Sequence, residues 1–150
     1  MAWTAVLGTL LGTLLGACGA IASQYVAARA AERRDRVQRR AALRAERLTA
    51  IQAFMDAEQD AERVAGDPDQ FDYAAKTQVV HALWATHKRL ALVCSEELAS
   101  PLDELANKLN LTIWNGPPND VPAWKHIQAE VWQFRGAAKR EVEWAEEATA

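Results

Sequence analysis

The first 28 residues contain no charged side chain, and that absence constrains the chain more than any other feature. From Trp3 to Val26 the residues are mostly Leu, Ala, Gly, Thr and Val. Such a segment must be buried in a core or held in lipid, because in water it would expose a continuous apolar surface. As a helix it would extend about 36 Å at ~1.5 Å per residue, enough for a hydrocarbon layer of about 30 Å. Trp3 and Tyr25 stand near its two ends, where amphipathic rings favour a membrane interface.

Beyond the apolar head the chain becomes strongly basic. Residues 29–47 hold eight arginines against Glu32, Asp35 and Glu46, whereas residues 48–150 hold nine Lys/Arg against seventeen Asp/Glu. The modest net charge of −3 hides this division. Basic residues beside a span are retained on the cytoplasmic side. The expectation is therefore a transmembrane anchor over 1–28, an Arg-rich juxtamembrane helix over 29–47, and an acidic cytoplasmic body over 48–150. The span would sit in a bacterial inner membrane with its N-terminus outside.

Two other readings of the head compete with an anchor. A cleaved secretory signal needs positive charge before the apolar run, and only the α-amine precedes it here. The stretch "LGAC", Leu15–Cys18, resembles the lipobox of bacterial lipoproteins, which implies an exported protein acylated at Cys18. Export would carry the arginine collar across the membrane directly after the signal.

The glycines of the head fall on one side of a helix. At about 100° per residue, with Gly8 set at zero, Gly12, Gly16 and Gly19 lie within about 80°, and Ala5 and Ser23 at about 60°. Leu7, Leu10, Leu14 and Ile21 lie outside that sector, with Leu11 and Leu15 along its edge. In lipid, helices associate through close backbone approach along such small-residue stripes. Ala5, Gly8, Gly12, Gly16, Gly19 and Ser23 are thus the expected packing face of a homo-oligomer. A pore built from these spans, as in holins, is the alternative, although an uncharged single span offers little to line a polar channel.

In the collar, Arg29, Arg33, Arg34, Arg36, Arg39 and Arg40 are expected to contact anionic lipid, each gaining roughly 1 kcal/mol near the surface. Nucleic acid is not an expected partner, because no aromatic residue is interleaved with the arginines.

The body reads as all-α. Val37, Ala41, Leu48, Ile51 and Met55 form an apolar stripe interrupted by Arg44, and the helix should end at "GDPDQFD", Gly66–Asp72. A second helix over Tyr73–Cys94 turns Val80, Leu83, Trp84, His87, Leu90 and Ala91 inward. Ser100–Pro101 reads as the cap and start of a third, with Leu102, Leu105, Leu109 and Ile113 inside. After the break at "NGPPND", Asn115–Asp120, a fourth helix places Trp124, Ile127, Val131, Phe134, Ala138, Val142 and Ala145 on one side. The expectation is a three- to four-helix antiparallel bundle joined by short loops. Trp132 and Trp144 lie off the main stripe, which makes them the candidate partner surface.

No motif for catalysis, metal or cofactor is found. His81 and His87 are six residues apart, on opposite sides of a helix, and no His-Glu-x-x-His or Gly-rich phosphate loop occurs. Cys94 and His87 are separated by about 10 Å along one helix, too far for a nucleophile and its base. Neither catalytic nor metal-binding residues are expected, nor a cofactor.

The order of parts, a Gly/Leu/Ala span followed by an Arg-rich helix ("RRAALRAERL", Arg39–Leu48) and Ala/Trp-containing helices, resembles small single-pass membrane proteins of actinobacteria. That resemblance implies a bacterial membrane protein and no particular activity. Together these features predict a tethered scaffold that self-associates through its span and docks a cytoplasmic protein partner. The protein would thus gain effective concentration at the membrane.

Overall fold

Between Ala20 and Ala65 the sequence has neither glycine nor proline, and alanine and arginine dominate, both strong helix formers. In the computed structural model this stretch belongs to one long helix, α1, Ala2–Gly66. A short 3-10 turn at Pro68–Gln70 comes next, then α2 (Tyr73–Ala91), α3 (Glu96–Asn115) and α4 (Ala123–Glu147), with no strand among the described residues. The structure describes the backbone of residues 2–118 and 121–147, and the side chains of residues 23–118 and 121–143. The chain divides into two units, Met1–Ala41 and Ala42–Ala150.

The first unit is helix alone. Every side chain from Ser23 to Ala41 is exposed. Glu32 pairs with Arg36 at 3.9 Å and Asp35 with Arg39 at 3.5 Å, each one turn apart on the surface. Such pairs contribute only a few tenths of a kcal/mol, about 0.3–0.5. Among the described residues no helix is long and apolar enough to cross a membrane. The anchor expected over 1–28 rests on the side chains of residues 1–22, which lie outside the described residues.

The second unit is an antiparallel four-helix bundle, and its direction can be read from named pairs. Tyr73 meets Trp114 and His87 meets Asp103, so α2 and α3 run opposite ways. Ser95 meets Glu141 and Lys108 meets Glu130, which sets α3 against α4 in the same manner. Arg47 meets Glu141 and Glu58 meets Arg135, so the last part of α1 closes the bundle antiparallel to α4. Phe54 and Phe134 touch across that seam with ring centroids 5.0 Å apart.

The core is built from α1 residues Ala50, Ile51, Phe54, Ala57, Ala61, Val64 and Ala65, together with Leu83, Leu90, Leu98, Leu102, Leu105, Leu109, Ile113, Ile127 and Phe134. Each fully buried large side chain contributes roughly 1.5–3 kcal/mol. The expected inner residues of α3 are all buried, whereas the α1 stripe differs from expectation. Val37 is 64% exposed, Ala41 is exposed, and of the five anticipated residues only Ile51 is buried. The real stripe uses alanines at 50, 57, 61 and 65. Alanine has little apolar area but lets helices approach closely, so a reading weighted toward large side chains misplaces the face.

Helix ends correct two more expectations. Helix α3 starts at Glu96 with Ser95 as its N-cap, so Pro101 lies inside the second turn and not at its start. There it removes the hydrogen bond to the carbonyl of Glu97, an exposed residue whose oxygen water can satisfy. Helix α2 ends at Ala91, short of Cys94, and begins where the Asp72 carboxylate accepts the Ala75 N–H at 2.7 Å. Helix α3 ends at Gly116, whose φ of 73° suits glycine, with its N–H donating to the Thr112 carbonyl at 2.9 Å. Trp124, expected inside, is 54% exposed because Ala123 occupies the inward position at the start of α4.

Candidate functional site

Acidic residues interrupt the apolar faces of α1 and α4, and their partners define the most polar part of the bundle. Glu141 continues the α4 inner stripe of Ile127, Phe134, Ala137 and Ala138, and its side chain is 4% exposed. There its Oε2 accepts the Ser95 N–H at 3.3 Å and also the Ser95 hydroxyl. Ser95 is the N-cap of α3, and its carbonyl accepts from Leu98 and Ala99, yet its side chain makes no cap bond within its own helix. The carboxylate from α4 instead holds Ser95 itself, through its N–H and hydroxyl, and lies beside the positive end of the α3 dipole. Arg47 Nη1 lies 3.1 Å from Glu141 Oε1, but that oxygen has no hydrogen bond of suitable geometry, so this contact is coulombic. Three helices are thus joined at one carboxylate.

Cys94 stands next to this clamp, half-buried. Burial, and then the nearby Glu141 charge, push its thiol above the ordinary value. That keeps the sulfur protonated, which is contrary to what a nucleophile or metal ligand requires. His87 donates from Nε2 to Asp103 Oδ1 at 2.6 Å and rests against the Trp84 ring, centroids 4.9 Å apart. The Asp103 contact fixes the hydrogen on Nε2 and leaves Nδ1 buried without a partner. Asp103 thus ties α3 to α2. Among the described residues no group of three or more His, Cys, Asp or Glu is placed to hold a metal ion.

Glu58 is the second buried acid, 2% exposed, with Arg135 at 3.8 Å and its own Oε1 unpartnered. Burial raises its carboxyl above the usual range, Arg135 opposes that, and Glu62 adds to it. Sequence reading missed Ser95, Glu58 and Glu141. The available signal was their position within apolar stripes, one turn from Phe54 and Ala61 for Glu58 and from Ala137 and Ala138 for Glu141.

Of the anticipated interaction residues, Arg29, Arg33, Arg34, Arg36, Arg39 and Arg40 are all exposed along α1, as is Ser23. Trp132 is 70% exposed. The side chains of Ala5, Gly8, Gly12, Gly16, Cys18, Gly19 and Trp144 lie outside the described residues. Two further aromatics surface elsewhere: Tyr73, 76% exposed, and Trp114, 39% exposed, whose rings meet at a tilt with centroids 5.4 Å apart across α2 and α3. Comparison with known protein families, curated proteins and solved structures finds no match.

Proposed function

We propose that the protein is a membrane-tethered helical scaffold that self-associates through its N-terminal helix and docks a cytoplasmic protein partner on its bundle. The observation that carries this reading is the uncharged head followed without a helix break by an exposed arginine collar. A span provides the anchor, the arginines hold the cytoplasmic side and contact anionic headgroups, and the bundle is presented to the cytoplasm. Its exposed aromatics are the surface offered to other molecules. Tethering raises the effective concentration of the bundle, and pairing of spans multiplies its copies.

The glycine stripe supplies the test of self-association. Gly12→Ile places a branched side chain in the close-approach face while leaving the bundle sequence untouched. Cross-linked dimers in membranes should fall sharply relative to the unaltered chain. Equal cross-linking of the two would exclude the glycine stripe as the pairing face.

A further inference from the structure

The positive charge of the acidic body is concentrated on one helix face. Between residues 123 and 140, Lys125, Arg135, Lys139 and Arg140 stand against the single acid Glu130. The rest of residues 48–150 carries five cations and sixteen acids. Glu130 is turned inward, bonded to Lys108 at 3.0 Å, whereas all four cations are exposed. On the same outer surface are Trp132, 70% exposed, and Trp124, 54% exposed.

The periodicity of α4 arranges these groups on a single arc. With Trp132 at zero and about 100° per residue, Lys125 lies at about +20°, Lys139 at −20°, Arg135 at −60°, Trp124 at −80° and Arg140 at +80°. The two indoles are separated by about 12 Å along the axis. The acids of this face begin beyond Arg140, where Glu143 lies at about +20° and pairs with Lys139 at 3.6 Å, and Glu62 of α1 lines a groove beside Trp124 with Gln59 and Arg63. Within the arc itself, between residues 123 and 140, no acid faces outward.

We propose that this outer face of α4 lies against an anionic lipid surface, with Trp124 and Trp132 at headgroup depth and Lys125, Arg135, Lys139 and Arg140 among the phosphates. The inference deepens the tethering reading and rests on it. Indole rings partition to the boundary between headgroup and acyl chain, and lysine and arginine gain from an anionic leaflet within a Debye length. Single-stranded nucleic acid fits less well. Successive bases need aromatic platforms within a continuous basic groove, whereas these rings project from a convex helix about 12 Å apart. The arrangement turns the Tyr73–Trp114 pair, on the α2/α3 side of the bundle, away from lipid and leaves it for a protein partner.

The test uses the full chain reconstituted in phosphatidylcholine vesicles, with or without phosphatidylglycerol, carrying bromine on the acyl chains. The Trp132 contribution is the emission difference between the unaltered chain and Trp132→Phe, each checked for helix content by circular dichroism. That contribution should be quenched in the phosphatidylglycerol vesicles and spared in phosphatidylcholine alone. Lys125→Gln and Lys139→Gln should each weaken docking by about fivefold, the equivalent of one lost contact with the anionic surface. Equal Trp132 emission in both vesicle types would overturn the proposal, as would a response to added single-stranded RNA in place of lipid. Alkaline extraction of the same vesicles reads the anchor separately. A chain that washes off while Trp132 is still quenched on anionic vesicles would refute the anchor alone.

Discussion

Replacing Glu58 by an apolar side chain should make the bundle more stable, although the substitution removes an ion pair. Glu58 is 2% exposed and one of its oxygens has no partner, while Arg135 at 3.8 Å is half-exposed. The carboxylate therefore loses most of its hydration and regains only a long, solvent-screened attraction. Removing a buried charge whose partner is left in water differs from stranding that charge, and the two substitutions should have opposite signs. Glu58→Met is expected to add about 1–3 kcal/mol at neutral pH, whereas Arg135→Ala should remove about 1–2 kcal/mol by leaving Glu58 uncompensated. In the Glu58→Met background, Arg135→Ala should be nearly neutral. The raised Glu58 carboxyl also sets the pH dependence. The native state holds the Glu58 proton to higher pH than the unfolded chain does. Its contribution is thus fully favourable below the unfolded value and is lost as pH rises through the folded value. The advantage of Glu58→Met should accordingly shrink as pH falls. Thermal unfolding of the full chain in detergent, followed by far-ultraviolet circular dichroism, would read these changes as roughly 4–8 °C per kcal/mol. A loss of stability in Glu58→Met at neutral pH, with no narrowing at lower pH, would refute the reasoning.

Two further outcomes probe the clamp at the start of α3. Glu141→Ala removes the acceptor for the Ser95 N–H and hydroxyl together with the partner of Arg47, and should cost about 2–4 kcal/mol in the same unfolding assay; a change below about 0.5 kcal/mol would show the clamp to be dispensable. Because burial and Glu141 raise the Cys94 thiol, iodoacetamide near pH 8 should alkylate Cys94 several-fold more slowly in the native chain than in denaturant. Peptide mass analysis distinguishes Cys94 from Cys18, and equal Cys94 rates would contradict its buried, protonated state.

The helices themselves are legible in the sequence because their breaks are chemical: Gly66–Asp72 and Asn115–Asp120 admit little else. Helix α3 is the most readable, since four large residues at helical spacing face inward and all are buried. The α1 face is less so, because its contact surface is mostly alanine, which hydropathy ranks below the exposed Val37. Reading Ser100–Pro101 as a cap misplaces the start of α3, when Ser95, followed by Glu96 and Glu97, holds that position. The clamp is not legible from sequence. Ser95, Arg47 and Glu141 are remote in the chain, and only the antiparallel register of α1, α3 and α4 brings them together. The basic arc on α4 is visible in part through Trp132, but helical spacing places Trp124 in the core, which hides the second indole.

The most direct test of tethering is the intact mass of the protein recovered from alkali-washed native membranes. Tethering by the apolar head predicts that the chain stays with the membrane at its full mass near 16.5 kDa, with the N-terminal segment retained. Release into the wash, or a shorter acylated product beginning at Cys18, would contradict it.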